Sequence, residues 1–222
     1  MPRSSEGRRV FVAGATGYLG RSVIPALLAR GHTVAGLVRP GSEAKLPAGC
    51  EPIVGNALEK DSFAARVPPA DTFLQLVGVS HPGPSKAAQF SSVDLTSVRA
   101  SAEAAADAGV AHFVYVSVAQ PAPAMKAYVE VRARGESLIR AKGLNATFLR
   151  PWYVLGPGHR WPYLLLPGYW LFERFPGTRE AARRIGLVTL EQMTAALVGA
   201  VENPVSGTRV VEVPEIRRST MT

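Results

Sequence analysis

The run Arg9-Val10-Phe11-Val12-Ala13-Gly14-Ala15-Thr16-Gly17-Tyr18-Leu19-Gly20 decides the fold. An apolar strand leads directly into three evenly spaced glycines, and a helix-like stretch follows to Arg30. A buried strand that turns sharply into a helix aims unpaired backbone N–H groups at one point. The positive end of the helix dipole points the same way. Gly14 permits the tight turn, Gly17 lets the backbone approach a ligand, and Gly20 lets helix and strand pack closely. Strand, turn and helix stand in the order a pyrophosphate site needs. Residues Gly14, Ala15, Thr16, Gly17, Tyr18, Leu19 and Gly20 are therefore the expected phosphate cradle.

Outward from this loop, strand and helix patterns alternate, which predicts an α/β fold with a doubly wound parallel sheet. Strands are expected at Val10–Ala13, Thr33–Val38, around Pro52–Val54, Thr72–Val77, Ala111–Ser117 and Ala146–Leu149. Helices are expected at Tyr18–Arg30, Asp61–Arg66, Ala87–Ala108 and Lys126–Lys142. After Pro151 the rhythm breaks, and a helix Leu190–Glu202 and a strand Arg209–Val213 close the chain. The expectation is one domain over residues 1–222, with a tail at 1–8 and an aromatic insertion at 156–185.

With 222 residues, 47% of them hydrophobic, the chain is long enough for one α/β core. No uninterrupted apolar run is long enough to predict a transmembrane helix. The basic N-terminus lacks an apolar stretch before the first strand and reads as a solvated tail rather than a signal peptide. Cys50 is the single cysteine, so no internal disulfide can form, and a cytoplasmic setting is expected. The net charge of +8 is spread over separate arginines rather than one block. It suits an anionic ligand, an acidic partner or a lipid surface, while no nucleic-acid recognition module is present. Four scattered histidines and one cysteine make no metal site.

The second strand ends in Val38-Arg39-Pro40. An acidic residue at this place favours the free 2′-hydroxyl of NAD, whereas Arg39 can pair with the 2′-phosphate of NADP. NADP is thus the expected cofactor, ahead of NAD. The glycine spacing, Arg39, the Gly55-Asn56 pair and Leu149-Arg150-Pro151 together resemble the short-chain dehydrogenase/reductase superfamily. More narrowly, they resemble its atypical NAD(P)H-binding branch, which includes NmrA-like regulators. The resemblance covers roughly residues 8–155 and implies a Rossmann fold and further cofactor contacts. Asn56, with Ala57 beside it, stands where relatives use Asp to bind the adenine amine. Leu76, Val77, Gly78 and Val79 would run past the adenine ribose, and Pro151, Tyr153 and Val154 would lie beside the nicotinamide.

The resemblance also poses the catalytic question. Reductases of the superfamily carry Tyr-x-x-x-Lys on a helix, which puts both side chains on one face. The lysine holds the nicotinamide ribose and lowers the tyrosine pKa, so the phenol can exchange a proton with the substrate oxygen. Here the pattern reads Tyr128-Val129-Glu130-Val131-Arg132, with Arg132 in the lysine position. An arginine keeps the charge but not the compact ammonium geometry. Arg132 and Glu136 could equally form a plain i,i+4 pair on the helix surface. Ser117 matches the first serine of the family stretch after the fifth strand, but the usual acting serine aligns with Ala119. Tyr128, Arg132 and Ser117 are the candidate catalytic set, and all three also belong to the expected cofactor contacts.

Residues 161–175, from Trp161 to Phe175, are rich in aromatics, leucines and prolines. They read either as a lid over a hydrophobic pocket or as a surface for a protein or lipid partner. The leading functional expectation is an NADP-dependent oxidoreductase acting on a small apolar carbonyl or alcohol. The alternative is a non-catalytic NADP(H)-binding sensor or assembly factor with a protein partner or a peripheral membrane contact.

Overall fold

Alternating side chains along parallel strands need cover on both faces, and two buried clusters supply it. The computed structural model describes residues 7–80, 82–122, 124–157 and 185–221. Its strands are β1 (Arg9–Ala13), β2 (Thr33–Val38), β3 (Glu51–Val54), β4 (Thr72–Gln75), β5 (His112–Val116), β6 (Ala146–Arg150), β7 (Tyr153–Leu155), β8 (Leu187–Thr189) and β9 (Thr208–Glu212). Its longer helices are α1 (Gly20–Ala29), α2 (Thr96–Asp107), α3 (Lys126–Ala141) and α4 (Leu190–Glu202), and a short α5 (Val213–Ile216) follows β9. Seven strands form one sheet in the order β3-β2-β1-β4-β5-β6-β9, all neighbours parallel. This is the doubly wound sheet expected from the alternation.

On one face, Phe11, Phe73 and Phe113 sit in direct register on β1, β4 and β5. Their rings follow one another at 5.0 and 5.2 Å, and α2 and α3 contribute Val98, Val131 and Ile139 to the same cluster. The opposite face carries Val10, Val12, Leu74, Val114 and Leu149, packed with Val23 and Leu27 of α1 and Met193 and Leu197 of α4. A capping box at Thr189 and Gln192 starts α4, each side chain bonding the other's backbone N–H.

Several boundaries differ from expectation for identifiable reasons. Asp61–Arg66 is not one helix but lies within two 3-10 turns, Lys60–Ser62 and Ala64–Arg66, joined at the buried Phe63. Six residues are too few to repay helix nucleation. The long helix expected from Ala87 to Ala108 is broken into a single turn, a π-helical segment Phe90–Leu95, and α2. The wider π turn brings Phe90, Asp94 and Leu95 to the buried side together. The first helix begins at Gly20 rather than Tyr18, and β4 ends at Gln75 rather than Val77. A second, two-stranded sheet of β7 and β8 was not expected, because three-residue strands leave no periodicity to read.

Candidate functional site

The strand order reverses its direction of growth between β1 and β4, which opens a crevice at the carboxyl ends of these strands. A cleft of about 390 Å³ lies there, lined by Gly14, Thr16, Gly17, Arg39, Asn56, Ala57, Leu76, Val77, Gly78 and Val93. Gly14 has φ +89°, and a Cβ on it would stand 3.0 Å from the backbone of Leu76 and Val77. Only glycine combines that left-handed turn with so close an approach to the end of β4. A Cβ at Gly20 would fall 2.5 Å from the Gly14 carbonyl oxygen and overlap that of Ala15, so α1 packs directly on the loop. No side chain caps the start of α1, and its first turn carries no acid. The positive end of the helix is thus free to receive an anion. A dinucleotide suits the donor set: a glycine cradle for the pyrophosphate and the exposed Arg39 guanidinium at the rim.

Asn56 is drawn into its own turn. Its Oδ1 accepts the Leu58 N–H at 3.1 Å, and its Nδ2 donates to Glu59 Oε1 at 2.8 Å. One lone pair of Oδ1 is left for an adenine amine. A second cleft of about 400 Å³ lies at the amino ends of β1–β3, lined by Arg9, Thr33, Glu51 and Pro68 among others. It is at the opposite end of the sheet from the glycine loop.

Next to the cleft stands a buried charged clasp. Arg132 on α3 is 5% exposed and its Nη2 lies 2.6 Å from Oδ1 of Asp94, which is 1% exposed. Asp94 Oδ2 accepts the Val79 N–H at 3.0 Å, and Arg132 Nη1 donates to the Val116 carbonyl at 2.9 Å. The guanidinium carbon lies 5.1 Å from the Tyr128 ring centre and 5.7 Å from that of Tyr115. A Cβ on Gly78 would collide with Arg132 Nη2. Burial pushes the Asp94 carboxyl up, opposed by Arg132 and the Val79 N–H, and the net direction is above its ordinary value. The contacts nevertheless suit a carboxylate: Oδ2 accepts the Val79 N–H, and Oδ1 stands in ion-pair contact with a guanidinium that keeps its charge at neutral pH. Burial also raises the Tyr128 phenol above its ordinary value, with Arg132 only partly offsetting it and Asp94 reinforcing it. Tyr115, fully buried, is pushed up to about 12, again mainly by desolvation.

A second network surrounds Glu136, 1% exposed. It accepts from Ser117 Oγ at 2.7 Å, Gln120 Nε2 at 2.8 Å, Arg150 Nε and Nη2 at 2.8 and 2.7 Å, and Arg140 Nη2 at 3.2 Å. Arg150 also reaches Glu212 at 3.1 Å. Burial alone would raise the Glu136 carboxyl, but the donors from Arg150 and Ser117, with the charges of Arg150 and Arg140, hold it below the usual range. The network ties the ends of β5, β6 and β9 to α3.

The model of a family described as NAD(P)H-binding matches residues 14–161, more than half of the chain. The chain belongs to this NAD(P)H-binding family. Among curated relatives, a ceramide reductase of Caulobacter vibrioides is 28% identical over 213 residues, covering 94% of this chain and 65% of the relative. A 3-diazoavenalumate denitrifying reductase of a Streptomyces species is 30% identical over 178 residues, covering 68% and 57%. The chain therefore spans less than two thirds of the length of these relatives. Among solved structures, the Bordetella bronchiseptica enzyme WbmH in complex with NAD+ aligns with a TM-score of 0.70 at 20% identity, over 93% of this chain and 76% of that one. UDP-N-acetylglucosamine 4-epimerase from Bacillus cereus aligns at 0.68 and 16% identity, over 95% and 83%. At these identities the likeness is one of fold alone.

Within the family frame, the expected cofactor residues divide into two groups. Those of the glycine loop, Arg39, Asn56, Ala57 and Leu76 to Gly78 meet around the one cleft, Ala15, Tyr18, Leu19 and Gly20 standing behind it. Val79, Ser117, Tyr128, Arg132, Pro151, Tyr153 and Val154 lie off the cleft lining: Val79 beyond β4, Ser117 and Pro151 just after β5 and β6, Tyr153 and Val154 in β7, and Tyr128 and Arg132 on α3. The surface pairing of Arg132 with Glu136 is corrected by the structure: both side chains are buried, and each pairs elsewhere, with Asp94 and Arg150 respectively. Ser117 is 2% exposed and donates its hydroxyl proton to Glu136 Oε1 at 2.7 Å. Asp94 went unread in the sequence. A lone acid flanked by Val93 and Leu95 was the available signal. The expectation for Trp161–Phe175 falls outside the described residues. Among the described residues, no helix is long and apolar enough to cross a membrane.

Proposed function

We propose that this chain is an NADP(H)-dependent reductase of a small apolar carbonyl compound. The observation that carries the reading is that Arg39 lines the same cleft as the Gly14–Gly17 cradle, which couples a pyrophosphate site to a cation suited to a 2′-phosphate. The curated relatives named as reductases support the reaction class. When bound, the reduced cofactor supplies the hydride such a reduction requires. Gly14, Gly17 and the open start of α1 would hold its phosphates, Arg39 the 2′-phosphate, and Asn56 the adenine. Tyr128, half-buried against the Phe90 ring at 5.0 Å, holds the proton that a carbonyl oxygen takes up on reduction.

Fluorescence titration of the protein with NADPH and NADH tests the cofactor, with NADPH expected to bind at least about tenfold tighter. Arg39→Asp should reverse that order, and equal affinities in the parent would overturn the assignment. Turnover is tested by NADPH consumption over a panel of aryl and long-chain ketones. Tyr128→Phe should lose turnover while retaining NADPH binding, and undiminished turnover would remove Tyr128 from its role.

The burial of Arg132 against Asp94 and of Ser117 against Glu136 favours a second reading, a non-catalytic NADP(H) binder. That protein would bind NADPH and turn over nothing in the panel. Arg132→Lys combined with Ala119→Ser would then be the variant expected to gain activity.

A further inference from the structure

The clasp at Asp94 has no place in a site built from the glycine loop, Tyr128 and a free cation at position 132. Five features of the structure converge on it. The π-helical turn Phe90–Leu95 carries Asp94 to the buried side. One carboxylate oxygen meets the Arg132 guanidinium, and the other takes the N–H of Val79 at the edge of the cleft. Arg132 is anchored from its other side by the Val116 carbonyl. Gly78, a cleft-lining residue, leaves out the one atom that would evict the guanidinium. The Tyr128 ring lies against this pair, and Phe90 of the same π turn packs on its edge.

We propose that Asp94 is a positioning residue of the site: it pins Arg132 beneath Gly78 and cancels its charge at Tyr128, so that Tyr128 stays a phenol able to give a proton and does not become a phenolate able to take one. The proposal rests on the reductase reading for its meaning and names the protonation state that Tyr128 keeps at rest. Its physical content stands apart from turnover. A lone cation next to a phenol favours the phenolate, whereas a cation already paired at 2.6 Å presents little net charge. The charged and titratable groups facing Tyr128 are Arg132 on its own helix and Asp94 from the π turn, with the buried Tyr115 of β5 on the far side of the guanidinium.

The test is a pH titration of the full 222-residue chain labelled with 13C at the tyrosine ζ carbons, with and without NADP+. Tyr128→Phe and Tyr115→Phe assign the signals. The parent should hold Tyr128 as a phenol beyond pH 10, the ordinary tyrosine value. Asp94→Asn leaves Arg132 uncompensated and should bring the Tyr128 midpoint down by about one pH unit or more. An unchanged midpoint in a folded Asp94→Asn protein would overturn the proposal. Should that variant not fold, the neutral double variant Asp94→Asn/Arg132→Gln decides. Its Tyr128 midpoint should stay within about half a unit of the parent if the pair is already neutral there. A rise of a unit or more would mean that Arg132 acts on Tyr128 uncancelled, and would overturn the proposal equally. A shifted midpoint without NADPH turnover on any ketone would uphold the clasp and reject the reductase reading. Turnover without the shift would do the reverse.

Discussion

Replacing Glu136 by Gln should cost the fold about 3 kcal/mol at neutral pH. The carboxylate is 1% exposed, its Oε1 accepting from Ser117, Gln120 and Arg150 and its Oε2 from Arg150 and Arg140. An amide of the same shape must turn an NH2 group towards either two or three donors. In the gentler arrangement the NH2 faces Arg150 Nη2 and Arg140 Nη2, and two charge-assisted bonds are lost, each worth about 1.5–3 kcal/mol. Arg140 is 41% exposed in its side chain, so its share is screened and counts for little. What remains is the buried contact with Arg150 and the desolvation of a guanidinium stripped of one partner, consistent with the ~3–5 kcal/mol typical of breaking one half of a buried pair. Urea unfolding followed by circular dichroism at pH 7 measures the difference. The sign of its pH dependence follows from a folded carboxyl held below its unfolded value. The stabilisation is complete above the unfolded value and is lost as pH falls through the folded one. The gap between parent and Glu136→Gln should therefore stay constant from pH 7 to pH 5 and close only below the ordinary carboxylate range. A loss under about 1 kcal/mol at pH 7 would refute the view that this network ties the ends of β5 and β6 to α3.

Three further outcomes follow from the same geometry. Gly20→Ala places a methyl group onto the Gly14 and Ala15 carbonyls, and should weaken NADPH binding at least about tenfold while costing about 1–3 kcal/mol in urea unfolding. Gly78→Ala puts a Cβ against Arg132 Nη2 and 3.2 Å from Asp94 Oδ1. It should displace the guanidinium and move the Tyr128 13C midpoint without any change of charge. Unperturbed titration would show that Arg132 is free to relocate. His112 is fully buried beside Thr147, and desolvation, with a smaller contribution from Arg8, lowers its pKa to about 4. The unfolded chain takes up that proton near 6.5, so stability is full above that pH and should decline by about 3 kcal/mol as pH falls towards 4. His112→Asn should flatten this part of the profile in thermal melts.

The glycine loop, the alternation of strand and helix and the cofactor cleft were legible because they rest on local rules. A strand ending in Gly14 and a helix packed through Gly20 leave few ways to close the backbone, and the unbroken apolar run Val10–Ala13 fits a strand buried on both faces. The clasp was not legible. Asp94 and Arg132 are 38 positions apart in sequence, and they meet only because a π turn moves the acid inward. Periodicity at 3.6 residues per turn does not describe such a turn. Glu136 was misread for a related reason. Four residues after Arg132 on a helix, it satisfied the pattern of a surface pair, while the partner that claims it, Arg150, comes from β6. Local pairing rules say which contacts are possible, and burial decides which are made.

On the proposed function, the cofactor cleft and the surroundings of Tyr128 are therefore built on different physics. The cleft uses backbone: glycines without Cβ, an uncapped helix start and strand ends, all insensitive to pH and tolerant of side-chain change elsewhere. The surroundings of Tyr128 use buried charge, Asp94 against Arg132, and a buried charge losing its partner is far more damaging than an exposed one. Substitutions at Arg39 should then change which dinucleotide is preferred with stability nearly unchanged, since that side chain is exposed. Substitutions at Asp94 or Arg132 should change stability and the proton at Tyr128 together, whereas Glu136→Gln should change stability alone. A double-mutant cycle across Asp94 and Arg132 separates these effects: a coupling energy above about 1 kcal/mol in unfolding, accompanied by a non-additive Tyr128 midpoint, is what a shared clasp requires. Additive midpoints would mean that the two residues act on Tyr128 independently.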